Sequence, residues 1–126
     1  MIDIRIANRI HDELIDEFGG MKGIRDLGSL ESALNRPYAT FDGIDLYTSP
    51  FDKAAALLES IVINHPFMDG NKRTAYILMK LLLSKSGLRI SASQAEKYQM
   101  VKAASTGEIR FDEIKLWLLS NTISTK

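Results

Sequence analysis

Two segments that are apolar around most of a helical circumference constrain the fold more than any other feature of this sequence. From Phe51 to Asn64, Ala54, Ala55, Leu57, Leu58, Ile61 and Val62 recur at helical spacing. From Asn71 to Ser86, Ile77, Leu78, Leu81 and Leu82 do the same, and Gly87 supplies a C-terminal stop. A helix of this kind has no face to offer water, so it belongs in the middle of a bundle. Only the polar stretch His65 to Gly70 separates the two segments, which predicts a central helix pair with the rest of the chain packed around it. A length of 126 residues suits a single domain, residues 1–126, with room for a real core.

The flanking segments supply the outer layer. Ile6, Ile10, Leu14 and Phe18 form one stripe, and Gly19-Gly20 ends that helix. Met21 to Gly28 reads as a loop, with Ser29 capping a short helix through Leu30, Ala33 and Leu34 that stops near Pro37. Between Thr40 and Pro50, Phe41, Ile44, Leu46 and Tyr47 interleave with Asp42, Gly43 and Asp45, the pattern of a loop or a small hairpin and a candidate flap. Gly87 to Ser91 is a turn or a brief extended segment. A helix follows from about Ser93 to Ala104, and a last amphipathic helix places Phe111, Ile114, Trp117 and Leu118 on one face, with Asp112 near its start. About six helices with little or no sheet give an all-α fold class.

Composition removes several function classes. Lysine plus arginine number 16, as do aspartate plus glutamate, so the formal charge is zero and no field draws in a nucleic acid or an anionic membrane. The chain has no cysteine, which excludes disulfides, thiolate metal sites and cysteine nucleophiles and is compatible with the cytoplasm. Met1 to Ile6 carries charges where a signal peptide needs an apolar run, and the apolar stretch Ala75 to Leu83 is too short for a bilayer and contains Lys80. The expectation is a soluble, unexported cytoplasmic protein.

Chemistry concentrates in the loop between the central helices. His65 is one of only two histidines, and Asn71, Lys72 and Arg73 fall in the first turn of the helix that follows. Two adjacent cations there break a rule, because the helix dipole already makes an N-terminus positive and each cation costs about 0.3–1 kcal/mol. A bound polyanion reverses that sign. Free N–H groups at the helix start take phosphate oxygens, Gly70 allows close backbone approach, Asn71 can donate, and Lys72 and Arg73 add a point charge and a fork. His65 is then placed to take the proton of an attacking hydroxyl, Asp69 to hold Mg²⁺ beside the phosphates, and Phe67 to root the loop in the core. Taken singly, each residue has a structural explanation: a histidine capping carbonyls, a solvated basic face, a turn before a helix. Their coincidence in one short loop favours the phosphate reading. The segment is not a P-loop, since it lacks G-x-x-x-x-G-K-[ST] and no strand precedes it. His11, off the apolar stripe, reads as a surface or structural residue, and Glu96 to Gln99 and Lys115 read as solvent faces.

The run His65-Pro66-Phe67-Met68-Asp69-Gly70-Asn71-Lys72-Arg73-Thr74 resembles the signature of the Fic/Doc superfamily. The resemblance extends to His11-Asp12-Glu13-Leu14-Ile15, Phe18-Gly19-Gly20, Leu30-Glu31-Ser32-Ala33-Leu34 and Ala103-Ala104-Ser105-Thr106-Gly107-Glu108-Ile109, so nearly the whole chain is covered at Doc size. Fic adenylyltransferases resemble H-P-F-x-[DE]-G-N-G-R-x-x-R. This chain has Lys72 at the second glycine and Tyr76 at the last arginine, and the Lys72-Arg73 pair is similar to Doc, the "death on curing" toxins. Gly70 matches Fic, where Doc tends to have alanine.

The Doc resemblance implies a toxin that transfers the terminal phosphate of ATP to a threonine hydroxyl of elongation factor Tu and so blocks translation. It implies His65 as the base, Asp69 as the Mg²⁺ ligand or an orienter of His65, and Gly70, Asn71, Lys72 and Arg73 as the triphosphate cradle. No serine or threonine has a glutamate four residues on, the pattern of a built-in inhibitory helix, so restraint is expected from an antitoxin in trans. A Fic-like adenylyltransferase and a non-catalytic nucleotide- or protein-binding regulator are the competing readings.

Overall fold

The computed structural model describes residues 1–125. Helix α1 (Ile4–Phe18) starts at Asp3, whose carboxylate accepts the Ile6 N–H at 2.9 Å, and stops at Gly19, whose φ of +89° takes the chain out of the helix. Helix α2 (Leu27–Asn35) begins earlier than Ser29 would allow. Asp26 is its cap, accepting from the Ser29 backbone N–H and hydroxyl, and a turn of 3₁₀ helix (Arg36–Tyr38) follows around buried Pro37.

The ambiguous segment after it is a hairpin. Strands β1 (Thr40–Phe41) and β2 (Ile44–Asp45) pair antiparallel across Asp42 and Gly43, at φ +51° and +76°, the paired left-handed residues that a tight hairpin turn requires. Phe41 and Ile44 are 71% and 70% exposed, so this flap stands away from the core.

The central pair is α3 (Pro50–Asn64) and α4 (Asn71–Ser84). Helix α3 opens with a Ser49/Asp52 capping box and Pro50 in its first turn. Every residue from Ala54 to Val62 is buried, and α3 packs against α2, the 3₁₀ turn, α4, α5 (Gln94–Ser105) and α6 (Phe111–Asn121). Leu78, Met79 and Leu83 of α4 are fully buried and Leu82 nearly so, while Ile77 and Leu81 are only partly covered. Helix α5 is capped by Ser93 with Glu96, and Ile114 and Leu118 of α6 complete the core. A second antiparallel pair joins β3 (Leu88–Ile90) to β4 (Thr122–Ser124), with Arg89 opposite Ile123. Among the described residues the fold is six helices with two small strand pairs, the expected mostly-α architecture. No helix among them is long and apolar enough to cross a membrane.

Three local expectations change. The buried line of α1 is Ala7, His11 and Ile15, one position along from the expected stripe, and Phe18 is 55% exposed. His11 is therefore a core residue and not a surface one. Lys115 is also no free solvent group, because its Nζ lies 2.7 Å from Asp52 Oδ1.

One buried carboxylate ties the flap to the bundle. Glu59 of α3 accepts from Arg36 at 2.8 Å, from Arg110 Nε at 3.0 Å and from the Phe111 N–H at 2.7 Å. Arg36 Nε also donates to the Tyr47 hydroxyl at 2.9 Å, on the returning limb of the flap. Burial pushes the Glu59 carboxyl up, but the hydrogen bonds from Arg110 and Arg36 outweigh it and hold the group below its ordinary value.

Candidate active site

The loop between the central helices is shaped from outside itself. His65 ends α3 at φ +49°, a left-handed conformation uncommon for a residue with a Cβ. Its N–H donates to Ile61 O at 3.0 Å. Arg25 holds the other side of the peptide: its Nε donates to His65 O at 2.8 Å and its Nη2 to Asn64 O at 2.6 Å. These are carbonyls that the end of a helix leaves without helical partners.

The loop is then zipped to the segment before α2. Pro66 O accepts from the N–H groups of Arg25 at 2.8 Å and Asp26 at 3.0 Å. Met68 N–H donates to Gly23 O at 2.9 Å, and Ile24 and Phe67 form an antiparallel bridge. Phe67 is fully buried, with its ring stacked on His11 at 4.1 Å between centroids and 7° between planes.

Asn71 closes the loop on itself. Its Oδ1 accepts the Phe67 N–H at 2.9 Å and its Nδ2 donates to Phe67 O at 3.0 Å. One of the two Nδ2 hydrogens of the side chain expected to donate to phosphate is thus engaged within the loop, and the backbone of the helix start supplies further donors. Thr74 N–H makes the first helical bond of α4, to Gly70 O at 3.0 Å, which leaves the N–H groups of Asn71, Lys72 and Arg73 ahead of it. Gly70 is at φ +71°, and a Cβ there would sit 3.2 Å from Ile15 Cδ1, so glycine suits both the turn and the close approach of α1.

The first turn of α4 holds no acidic residue. Lys72 and Arg73 are exposed, and among the described residues neither forms an ion pair; Arg73 instead lies over the Phe18 ring, 4.2 Å from its centroid. Asp69 is exposed beside them. Its Oδ1 accepts the Gly70 N–H at 2.9 Å and its Oδ2 the Met21 N–H at 3.2 Å, so both oxygens are aimed by backbone and neither is bonded to His65.

His65, Asp69, Gly70, Asn71, Lys72 and Arg73 all line one cleft of about 490 Å³, joined there by Arg25, Phe67 and Met68. A second groove of about 270 Å³ adjoins it between α4 and α5, sharing Lys72 and Arg73 and adding Tyr76, Lys97, Tyr98 and Lys102. No carboxylate lines this groove. Burial pushes the Tyr76 phenol up, so it stays neutral. Tyr98, read from sequence as a solvent residue, is 61% exposed but turns one side to this groove.

Among the described residues no group of three or more acidic or histidine side chains could cage a metal ion. Asp69 is the carboxylate that lines the cleft. Mg²⁺ is ordinarily held by one or two carboxylates together with substrate phosphate oxygens and water. A single aimed carboxylate beside the cleft fits that donor set, and Asp69 is the residue that would hold the ion.

Sequence reasoning missed the supporting residues. His11 was one helical position off the assumed stripe, and its neighbours Ile10 and Leu14 masked it. Arg25 carries no local signal, and the pair Gly19-Gly20 signals only a helix end, because the partners of Arg25, Gly20 and Met21 lie about forty or more residues away.

Residues 1–83 match the family model described as the Fic/DOC family, and this chain belongs to that family. It is 47% identical over 75 residues to Toxin Doc of Mycolicibacterium smegmatis, a match covering 60% of this chain and 58% of that protein. It is 31% identical over 105 residues to protein kinase doc of Escherichia phage P1, covering 83% of this chain and 82% of the relative. Protein adenylyltransferase fic-1 of Caenorhabditis elegans is 34% identical over 73 residues, which is 55% of this chain and 14% of that longer protein. The match thus spans just over half the length of the first of these relatives and only a small part of the third.

Proposed function

We propose that this chain is a Doc-like toxin of the cytoplasm, a phosphotransferase that moves the terminal phosphate of ATP to a threonine hydroxyl of a protein target, elongation factor Tu, and so blocks translation. The observation that carries the reading is the first turn of α4. Lys72 and Arg73 stand without ion-pair partners beside free N–H groups, in one cleft with His65. That arrangement is unfavourable when empty and favourable around a polyphosphate. The names of two relatives, a toxin and a protein kinase, support the same class.

In this reading the triphosphate lies across the α4 N-terminus, with Lys72 and Arg73 neutralising its charge. The adjoining groove suits the nucleoside, since Tyr98 offers a ring face for a base. His65 accepts the proton of the target hydroxyl as its oxygen bonds to the terminal phosphorus. The bond from that phosphorus to the bridging oxygen breaks, and ADP leaves with the electron pair. Mg²⁺ held at Asp69 would neutralise charge on the phosphate oxygens. Asn71 keeps the loop in shape through its side-chain bonds to Phe67. The exposed flap is suited to present the target segment. An antitoxin would restrain the activity by covering the cleft.

Transfer of AMP is the second reading. Gly70 and the similarity to an adenylyltransferase favour it, whereas Lys72 and neutral, half-buried Tyr76 oppose it, because Tyr76 cannot supply the cation of the Fic pattern. Intact-mass spectrometry of elongation factor Tu after incubation with this protein, ATP and Mg²⁺ separates them. One added phosphate, absent with His65→Ala, is the expected result. One added AMP would replace the kinase reading with the Fic chemistry, and an unmodified target, with folded protein, would remove elongation factor Tu from the proposal.

A further inference from the structure

His11 is fully buried in α1, yet it reaches the loop that lines the cleft. Its Nε2 lies 2.7 Å from the carbonyl oxygen of Asp69. A carbonyl only accepts, so Nε2 carries the hydrogen and donates it. In the neutral ring, Nδ1 is then an acceptor, and it is buried without a hydrogen-bond partner; the carboxylate of Asp12 lies 3.9 Å away. Leaving a buried nitrogen unsatisfied is destabilising. If the ring served only to stack on Phe67, phenylalanine would fill the place without that penalty. The Nε2 bond is what distinguishes histidine here.

What the bond fixes follows from the covalent geometry. The Asp69 carbonyl belongs to the same planar peptide as the Gly70 N–H. Holding that oxygen sets the direction of the N–H, which donates to Asp69 Oδ1 at 2.9 Å. The other oxygen, Oδ2, accepts the Met21 N–H at 3.2 Å. Gly20 closes the back of this clamp, because a Cβ there would fall 2.8 Å from Asp69 Oδ2. The same peptide enters Gly70, whose carbonyl accepts the first helical bond of α4.

We infer that His11 is a positioning residue: through its Nε2–H bond to the Asp69 carbonyl, α1 fixes the peptide on which both the Asp69 carboxylate and the phosphate-facing start of α4 depend. For catalysis this rests on the phosphotransferase reading above. The clamp itself does not.

Two variants separate positioning from packing. His11→Phe keeps an aromatic ring against Phe67 and removes the stranded nitrogen, but it has no donor. His11→Gln places an amide N–H at the reach of Nε2 but gives up the stack. The expected melting temperatures rank His11→Phe at or above His11→Gln, while turnover ranks the other way. His11→Phe should lose about tenfold or more in kcat with KM for ATP changed by less than about threefold, and His11→Gln should recover most of that kcat. Turnover that follows the melting temperature, or a fully active His11→Phe, would overturn the proposal.

A second measurement needs no activity. The Met21 and Gly70 amide protons both donate to the Asp69 carboxylate, so their NMR shifts should move upfield in His11→Phe and return in His11→Gln. Unmoved shifts in His11→Phe overturn the clamp even if the wild type proves to be a kinase. Moved and rescued shifts support it even if no target is modified.

Discussion

If the first turn of α4 is built for a polyanion, then the empty protein should gain stability when one of its cations is reversed. Lys72 is the cleaner site. It is exposed, makes no ion pair among the described residues, and lies two residues past the capping Gly70. Lys72→Glu removes an unfavourable dipole interaction of about 0.3–1 kcal/mol and adds a favourable one of similar size, a gain of about 0.6–2 kcal/mol at low salt. The entropy of unfolding at the midpoint, about 2.1 cal/mol/K per residue over 126 residues, is about 0.26 kcal/mol/K. The melting temperature should therefore rise by about 2–8 °C, measured by calorimetry at low ionic strength without nucleotide. Arg73→Glu should gain less, since it gives up the contact with Phe18, worth about 0.5–1 kcal/mol at an exposed site.

Added ATP should reverse the order. A ligand at a hundred times its Kd stabilises the native state by about 2.7 kcal/mol, about 10 °C on the same scale, and only the wild type should show it. High salt should shrink the gain of Lys72→Glu. A variant that melts at or below the wild type at low salt without nucleotide would refute the dipole argument, and an equal ATP shift in both proteins would refute the assignment of Lys72 to the phosphate cradle.

Three further outcomes are expected. Gly20→Ala meets Asp69 Oδ2 at 2.8 Å, whereas Gly107→Ala, also at positive φ, meets nothing within 4 Å. Gly107→Ala should lose about 1–2 kcal/mol to backbone strain and Gly20→Ala more, and only Gly20→Ala should also depress group transfer, read by intact mass. Phe67→Ala should lose about 3–5 kcal/mol in denaturant unfolding, because the ring is fully buried beneath the loop. The carboxyl of Glu59 is held below its ordinary value of 4.5, so its contribution to stability is present above about pH 4.5 and is lost as the pH falls through the lower folded value. Glu59→Gln should flatten the decline of the melting temperature in that acid window while lowering stability at neutral pH, where Arg36 and Arg110 lose their partner.

Much of the architecture is legible because it follows from short-range rules. Periodicity locates the central pair, and Ser93 and the glycines at 19 and 70 mark ends that the structure keeps. The Asp42-Gly43 turn was readable as a turn signal, but strands of two residues carry too little alternation to distinguish a hairpin from a loop. The loop chemistry was legible because its residues are adjacent in the chain. One detail is not legible there: the Asn71 side chain, expected to donate to phosphate, also bonds the backbone of Phe67, four residues back.

Short-range rules encode the helices, the central pair and the short run that gathers His65, Asp69, Gly70, Lys72 and Arg73, since periodicity, capping and turn chemistry act over a few residues. The rotation of α1 about its axis is set by packing and not by any local rule. That rotation buries Ala7, His11 and Ile15 in place of the larger isoleucine stripe and brings His11 Nε2 to the Asp69 carbonyl, 58 residues on. Packing also decided that Arg25 would hold His65, that Arg36 and Arg110 would share Glu59, and that β4 would find β3. These pairings depend on which surfaces meet when separate helices pack, and no local propensity encodes that choice.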